Sequence, residues 1–517
     1  MNGLRLGLNC SRRAAASCSL LIAPRVSRIH RRWFAAQNNK TNENANVPID
    51  LDVIDCSDSQ EWLEELKLES KRVDPDLFQK SSPRVIKVNG FSYPPLFLRD
   101  SCSCHQCVDP STKQKNFQTS DIPSHITATS VNSLENGDLE ISWENDIPGY
   151  ASNHVSTFSK KFFETHKSTK AYLLDRQNIF SYTKWDAKRI AQRLQYVTYD
   201  DYMNSEEGLF RALIMLQDYG LLILRGVPES ETSVVDIAKR IGNLRDTLYG
   251  VTWDVKSVPQ AKNVAYTSQY LGLHMDLLYM TNPPGFQFLH CLNNTCSGGS
   301  SIFSDSFQAA TQLERHHFVT LCEQKIHYHY RNAGEHYYNS HYVIQPRSGG
   351  QGVKVLQRKD DQPDIWRRDV PLQHINYSPP FQATFAKPSG SPVLAEALRQ
   401  FASRVEAPEN VYEYRLQEGE CVIFNNRRVL HGRKEFDTST GERWFRGAYI
   451  DTDVFMSRYR VLAEKYQNQN REFLRTHARY ISWDIQNPVT GRMESDPHKI
   501  WETSRILPQT EGYANII

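Results

Sequence analysis

The chain has 517 residues, which is more than one hydrophobic core usually serves, so two folded domains with tails is the starting expectation. Its 61 Lys and Arg residues nearly balance 59 Asp and Glu residues, and this evenness excludes the strong field needed to hold nucleic acid or an acidic polymer. The partner is expected to be a small molecule. No apolar run reaches the roughly 18 to 20 residues that cross a bilayer, so no integral membrane segment is expected.

Residues 1–50 depart from that balance. Arg5, Arg12, Arg13, Arg25, Arg28, Arg31 and Arg32 accumulate among Ser and Ala, and the first acidic residue is Glu43. This is the make-up of a mitochondrial transit peptide, and import to the matrix is the expectation. A cytoplasmic protein with a disordered tail is the alternative. A secretory signal fits less well, because the stretch Ala14 to Ala23 is interrupted by Ser and Cys and followed by more arginines. Residues 36–50, rich in Gln, Asn, Lys and Thr, read as a flexible linker.

From 80 to 165 the pattern is that of a small β domain. Val85 to Val88, an Asn89-Gly90 turn and Phe91 to Leu98 form one strand pair; Ile126 to Val131 and Leu139 to Trp143 flank a turn at 135–138 and form another. The period then becomes helical, and Leu209, Phe210, Leu213 and Leu216 mark a helix closed by Gly220. Next come Leu221 to Leu224 as a buried strand and Ser233 to Ile241 as an amphipathic helix. Phe286 to Leu292, Ile302-Phe303, Val353 to Leu356 and Cys421 to Phe424 follow as strands separated by Gly-bearing turns. Many short strands with few helices predict a mainly β jelly roll, a double-stranded β-helix with flanking helices, over 166–466. A last, peripheral helix at about Val454 to Tyr466 precedes an extension at 467–517.

Two groups of residues carry chemistry. In "LGLHMDLLYM" His274 and Asp276 stand at i and i+2, on one side of a strand, while Met275 packs the other way. Two His and one carboxylate on one face would hold a mononuclear iron, with the opposite face open. Chance alone supplies roughly one such pair in a chain with 17 histidines, so the spacing decides nothing by itself. His431, before Gly432, offers a second imidazole, and Arg443 a cation that could hold a carboxylate through two charge-assisted hydrogen bonds. The other group is Cys102, Cys104 and Cys107, three thiols on a short loop that favour Zn²⁺ and need a fourth ligand; His105 is the local competitor, and free thiols are the bland alternative.

The segments "LRDSCSCHQC", "YGVTWDV", "NVAYTSQYLGLHMD", "PPGFQFLHC", "VLHGR" and "GAYIDTD" occur in an order that resembles the iron- and 2-oxoglutarate-dependent dioxygenases of the taurine-dioxygenase superfamily. Within it the resemblance is to the γ-butyrobetaine and trimethyllysine dioxygenases, over about residues 83 to 465. It implies that His274, Asp276 and His431 bind Fe(II), that Arg443 anchors the cosubstrate 2-oxoglutarate with Asn263 as a weaker polar contact, and that ascorbate serves as reductant. It also implies His154 as the fourth ligand of a structural zinc pinning a small module with little core of its own, and a homodimer.

Tyr249, Trp253, Tyr266 and Tyr449 fall on positions that in this resemblance line the substrate pocket. A box of ring faces suits a quaternary ammonium, which donates no hydrogen bond and is held by cation–π attraction. The resemblance therefore implies hydroxylation of a trimethylammonium substrate, γ-butyrobetaine before trimethyllysine. The departures are Met275, Leu277 and Leu278, where relatives are more polar. A catalytically silent zinc-containing binding module with the same fold is the rival, and a silent module would need neither the His/Asp/His set nor Arg443.

Overall fold

The computed structural model describes residues 85–469, apart from 152, 169–170, 173–174, 177–181, 195, 257–266, 347–371, 387 and 389–390, together with 485–486 and 493–494. The leader at 1–50, Asn263, Tyr266, the strand expected at Val353 to Leu356 and nearly all of the extension at 467–517 lie outside the described residues.

The region beyond the small domain is built on two antiparallel-dominated sheets, which is the expected jelly-roll arrangement. The major sheet has six strands in the order Tyr196–Thr198, Leu221–Arg225, Glu420–Asn425, Phe286–Asn294, Arg443–Ile450 and Thr252–Val255. The minor sheet has four, in the order Val411–Tyr414, Ser301–Asp305, Val429–Arg433 and Leu271–His274. Neighbours in space are remote in sequence, as chain-crossing connections of a double-stranded β-helix require.

The helix Glu206–Asp218 begins under a Ser205 cap, whose hydroxyl accepts from Gly208 N–H, and buries Leu209, Leu213 and Leu216. It ends at Gly220, φ +73°, where a side chain would also press on Val429 at 3.0 Å. Only glycine serves both demands. This helix and Ser233–Ile241 share a continuous core with the major-sheet residues Leu222, Ile223, Phe286 and Phe288. The helix Thr452–Gln469 belongs to that core too, since Phe455, Leu462 and Ala463 are buried there and Phe286 stacks on Phe455 at 4.1 Å. The expected peripheral helix is instead integral. Its apolar positions at 455, 462 and 463 face the core, Met456 and Tyr459 pack at its margin, and Val461 is exposed.

Two further expectations are corrected in the small domain. The strand Phe91 to Leu98 stops at Tyr93, because Pro94 and Pro95 cannot donate to a ladder; with Pro95 in its first turn, Pro95–Asp100 is a helix. The cysteine loop therefore follows a helix end. The module also has a core of its own, in which Leu98, Ile126, Ile141, Phe158 and Phe163 pack together.

His290, within Phe286–Asn294, is fully buried and neither ring nitrogen has a partner among the described residues. Burial pushes its pKa down to about 4. The unfolded chain takes up this proton near pH 6.5 but the folded chain only near 4, so stability should fall as pH drops across that window, by about 3 kcal/mol in total. His290→Met should flatten that part of the curve of unfolding free energy against pH, read by urea titration.

Candidate active site

His274 ends the strand Leu271–His274, and His431 lies directly opposite it on Val429–Arg433, with ring centroids 4.3 Å apart. The close approach depends on Gly432, where a Cβ would sit 2.6 Å from the Leu271 carbonyl oxygen. Asp276 is not on the strand. It opens a turn over 276–279 in which Leu277 takes φ +61°, a left-handed conformation that costs a branched residue roughly 1–2 kcal/mol. Met275 does pack away from the site, fully buried, its N–H donating to the Tyr377 carbonyl.

The turn is held by Asn426. Its Oδ1 accepts from Asp276 N–H at 2.8 Å, and its Nδ2 donates to the carbonyls of Asp276 and Pro284 at 3.1 Å each. His341 adds a contact from Nε2 to the Leu278 carbonyl at 2.9 Å. Asn426 lies on the same segment as His431, so one fully buried amide ties the carboxylate to the chain that brings the second imidazole.

The three candidate ligand atoms lie within 4.8 Å of one another. His274 Nδ1 is 2.9 Å from the Gly272 carbonyl, so its proton sits there and Nε2 faces Asp276 Oδ1 at 3.4 Å with a free lone pair. His431 Nε2 faces Asp276 Oδ2 at 3.8 Å. Burial pushes the pKa of His431 down to about 3, with His274 adding to the effect, which keeps the ring neutral and fit to ligate. Burial alone would raise the Asp276 carboxyl, but hydrogen bonding to His274, the nearby His431 and the Tyr449 hydroxyl hold it well below the usual carboxylate range. An anionic carboxylate beside the neutral His431 ring and the Nε2 of His274 fits a divalent transition metal.

One cavity contains this triad, Arg443, Tyr249, Trp253 and Tyr449. Arg443 starts the strand Arg443–Ile450, is 7% exposed, and pairs with no carboxylate among the described residues; its neighbours are the ring of Phe445 at 3.9 Å and Arg433. Burial, with Arg433 adding, pushes it down to about 9, still cationic at neutral pH. A buried cation without an anion is a site for one.

The aromatic wall differs from the expected box. Trp253 and Tyr449 stack on each other, centroids 4.1 Å apart, so each offers the cavity at most its other face. Tyr279 and Phe381 complete the wall, with the Tyr279 hydroxyl 3.2 Å from that of Tyr249. Tyr279 stands three residues after Asp276 in a stretch where aromatic content alone gave no reason to separate pocket from core. Gln287 and Arg433 also line the cavity.

In the small domain Sγ of Cys102, Cys104 and Cys107 lie 3.6, 3.4 and 3.4 Å from His154 Nε2. A zinc tetrahedron with three sulfurs and one nitrogen has S–N edges of about 3.5 Å, so the set fits zinc. His105 is exposed and outside the cluster. His154 Nδ1 is 2.7 Å from Asp146 Oδ2, and Asp146 Oδ1 accepts from Arg99 Nε, whose guanidinium also donates from Nη1 to Cys107 Sγ at 3.3 Å. Arg99 is fully buried and balances the thiolate charge. Asp146→Asn is expected to release zinc to a chelator about 10–100-fold more readily, followed with a metallochromic dye.

Residues 181–449 match the profile of the taurine catabolism dioxygenase TauD, TfdA family, and residues 87–154 that of the gamma-butyrobetaine hydroxylase-like N-terminal family. The chain belongs to the TauD, TfdA dioxygenases. It is 38% identical to dioxygenase str8 of Strobilurus tenacellus, covering 72% of this chain and 85% of that protein. It is 31% identical to gamma-butyrobetaine dioxygenase of Pseudomonas sp. (strain AK-1), covering 71% and 89%. It is 25% identical to the mitochondrial trimethyllysine dioxygenase of Rattus norvegicus, covering 71% and 82%. Within the family it is a dioxygenase of the butyrobetaine and trimethyllysine hydroxylase group.

Proposed function

We propose that this protein is an Fe(II)- and 2-oxoglutarate-dependent dioxygenase that hydroxylates a small trimethylammonium compound, γ-butyrobetaine foremost, to give carnitine. The observation that carries the reading is the buried Arg443, paired with no carboxylate among the described residues, in the same cavity as a His/Asp/His triad and an aromatic wall. When bound, iron with 2-oxoglutarate supplies the oxidation: dioxygen is consumed, 2-oxoglutarate gives succinate and CO₂, and a C–H becomes C–OH.

The chain's own residues do the rest. His274, Asp276 and His431 hold the metal from one side. Arg443 takes the distal carboxylate of the cosubstrate, with Arg433 nearby adding positive potential. Tyr249, Trp253, Tyr279 and Tyr449 present ring faces to a cation, Tyr249 and Tyr279 add hydroxyl oxygens, and Leu277 would exclude water beside the metal. Fixing the substrate's head group there sets which C–H reaches the oxidant, and such placement accounts for much of a catalyst's rate. Asn263 and Tyr266 remain part of this proposal as a polar contact and a further cage wall.

Trimethyllysine is the second reading, favoured by the rat relative that bears that name; both substrates share the head group and differ at the far end. The arginine-rich leader and the same relative support mitochondrial import. Succinate release is the test, with iron, ascorbate and 2-oxoglutarate present and γ-butyrobetaine or trimethyllysine offered separately. Turnover with γ-butyrobetaine is expected; turnover only with trimethyllysine selects the second reading, and none with either sinks both. No uncoupled 2-oxoglutarate consumption at high enzyme concentration would favour the silent module.

A further inference from the structure

Tyr449 is 2% exposed and engaged at both ends. Its hydroxyl donates to Asp276 Oδ2 at 2.6 Å, while its ring lies on Trp253 at an interplanar angle of 25°. Strand register fixes that stack, since Trp253 pairs with Gly447, where any Cβ would come within 2.5 Å of the indole. The phenol therefore has little freedom to leave the carboxylate.

We propose that Tyr449 is a positioning residue for Asp276, with its hydroxyl committed to the candidate metal ligand and its ring to the substrate chamber. The proposal rests on the iron reading above. A carboxylate's terminal torsion is soft, and His431 Nε2, at 3.8 Å from Asp276 Oδ2, stands beyond hydrogen-bond reach. With Oδ2 held by the phenol, Oδ1, which faces His274 Nε2, is the oxygen that would be left to a metal. Asn426 fixes the backbone of Asp276 and Tyr449 fixes its side chain. Tyr449 stands on a major-sheet strand and Asn426 in the turn that joins the major-sheet strand Glu420–Asn425 to the minor-sheet strand Val429–Arg433, so the carboxylate is set by two segments remote from it in sequence. The same ring forms a wall of the chamber, so a cation packed against it and a metal on Asp276 share one rigid side chain. Binding of each should then alter the affinity for the other by the same factor.

The test uses the zinc-loaded full chain and Mn(II) as probe, with free Mn(II) read by electron paramagnetic resonance and γ-butyrobetaine binding by tryptophan fluorescence. Tyr449→Phe keeps the ring and removes the hydroxyl; it should weaken Mn(II) about tenfold or more while leaving γ-butyrobetaine affinity little changed. Tyr249→Leu, which removes a chamber ring and leaves the Trp253 stack on Tyr449 in place, should do the reverse. Mn(II) affinity unaltered by Tyr449→Phe overturns the proposal, and so does an equal loss of both ligands in that variant, which would mean general damage. His274→Ala separates the two levels: if it leaves Mn(II) binding intact, the triad itself is not the metal site.

Discussion

Asp276→Ala is expected to remove substrate-dependent succinate release, by on the order of 1,000-fold or more, since loss of an outer partner alone costs about 10–100-fold. The carboxylate is the only anion among the three ligand groups, and its ionisation is secured by contacts from both histidines and Tyr449. Stability should fall too. Without metal, the ionised Asp276 is still held by His274 and Tyr449, so its removal should lower the thermal midpoint, whereas the rise in that midpoint that Fe(II) or Mn(II) gives the wild type should vanish altogether. Calorimetry with and without Mn(II) reads both effects. Full activity in the variant would mean the metal is elsewhere.

Arg443→Met should raise the KM for 2-oxoglutarate on the order of 100-fold, the equivalent of two hydrogen bonds from a charged group. Its effect on the empty protein should be opposite in sign. The guanidinium is buried beside Arg433 and pairs with no carboxylate among the described residues, so an apolar side chain of similar length relieves a desolvation cost and should leave the thermal midpoint unchanged or higher. A structural arginine would behave the other way, losing stability when removed. Steady-state kinetics and thermal unfolding on one variant distinguish the two. Lysine at this position should restore only part of the affinity, because its point charge cannot make the paired contact.

Much of this site could be read from the chain, and the parts that could not share a cause. His274, Asp276, His431 and Arg443 are chemically distinctive and sit in motifs, so their convergence in one cavity was legible. The reason given for His274 and Asp276 was incomplete, because a strand would align them but the strand ends at His274. The alignment comes instead from a left-handed Leu277 and from Asn426, 150 residues away from the aspartate. No local pattern announces an amide that binds a remote backbone. Tyr279 and Phe381 were missed for a similar reason: an aromatic residue in an apolar run looks the same whether it faces core or cavity. The zinc set was legible down to His154, yet the Arg99 and Asp146 relay behind it was not, since both charges are neutralised only in three dimensions. The breaks at Pro94-Pro95 and the buried side of the last helix were visible in the sequence and were outweighed by β-propensity and end position.

The pairing of His274 with His431 has a consequence for how the protein comes into being. The strand Leu271–His274 is made early and has its partner, Val429–Arg433, only after the intervening chain has emerged, and Tyr449 and Arg443 follow later still. Contacts of such long range close last, because their loop entropy must be met first. A chain released before about residue 429 would thus lack His431 and present a lone imidazole on an open sheet edge with an aspartate beyond it. Metal loading is therefore a report that translation and closure of the barrel are both complete.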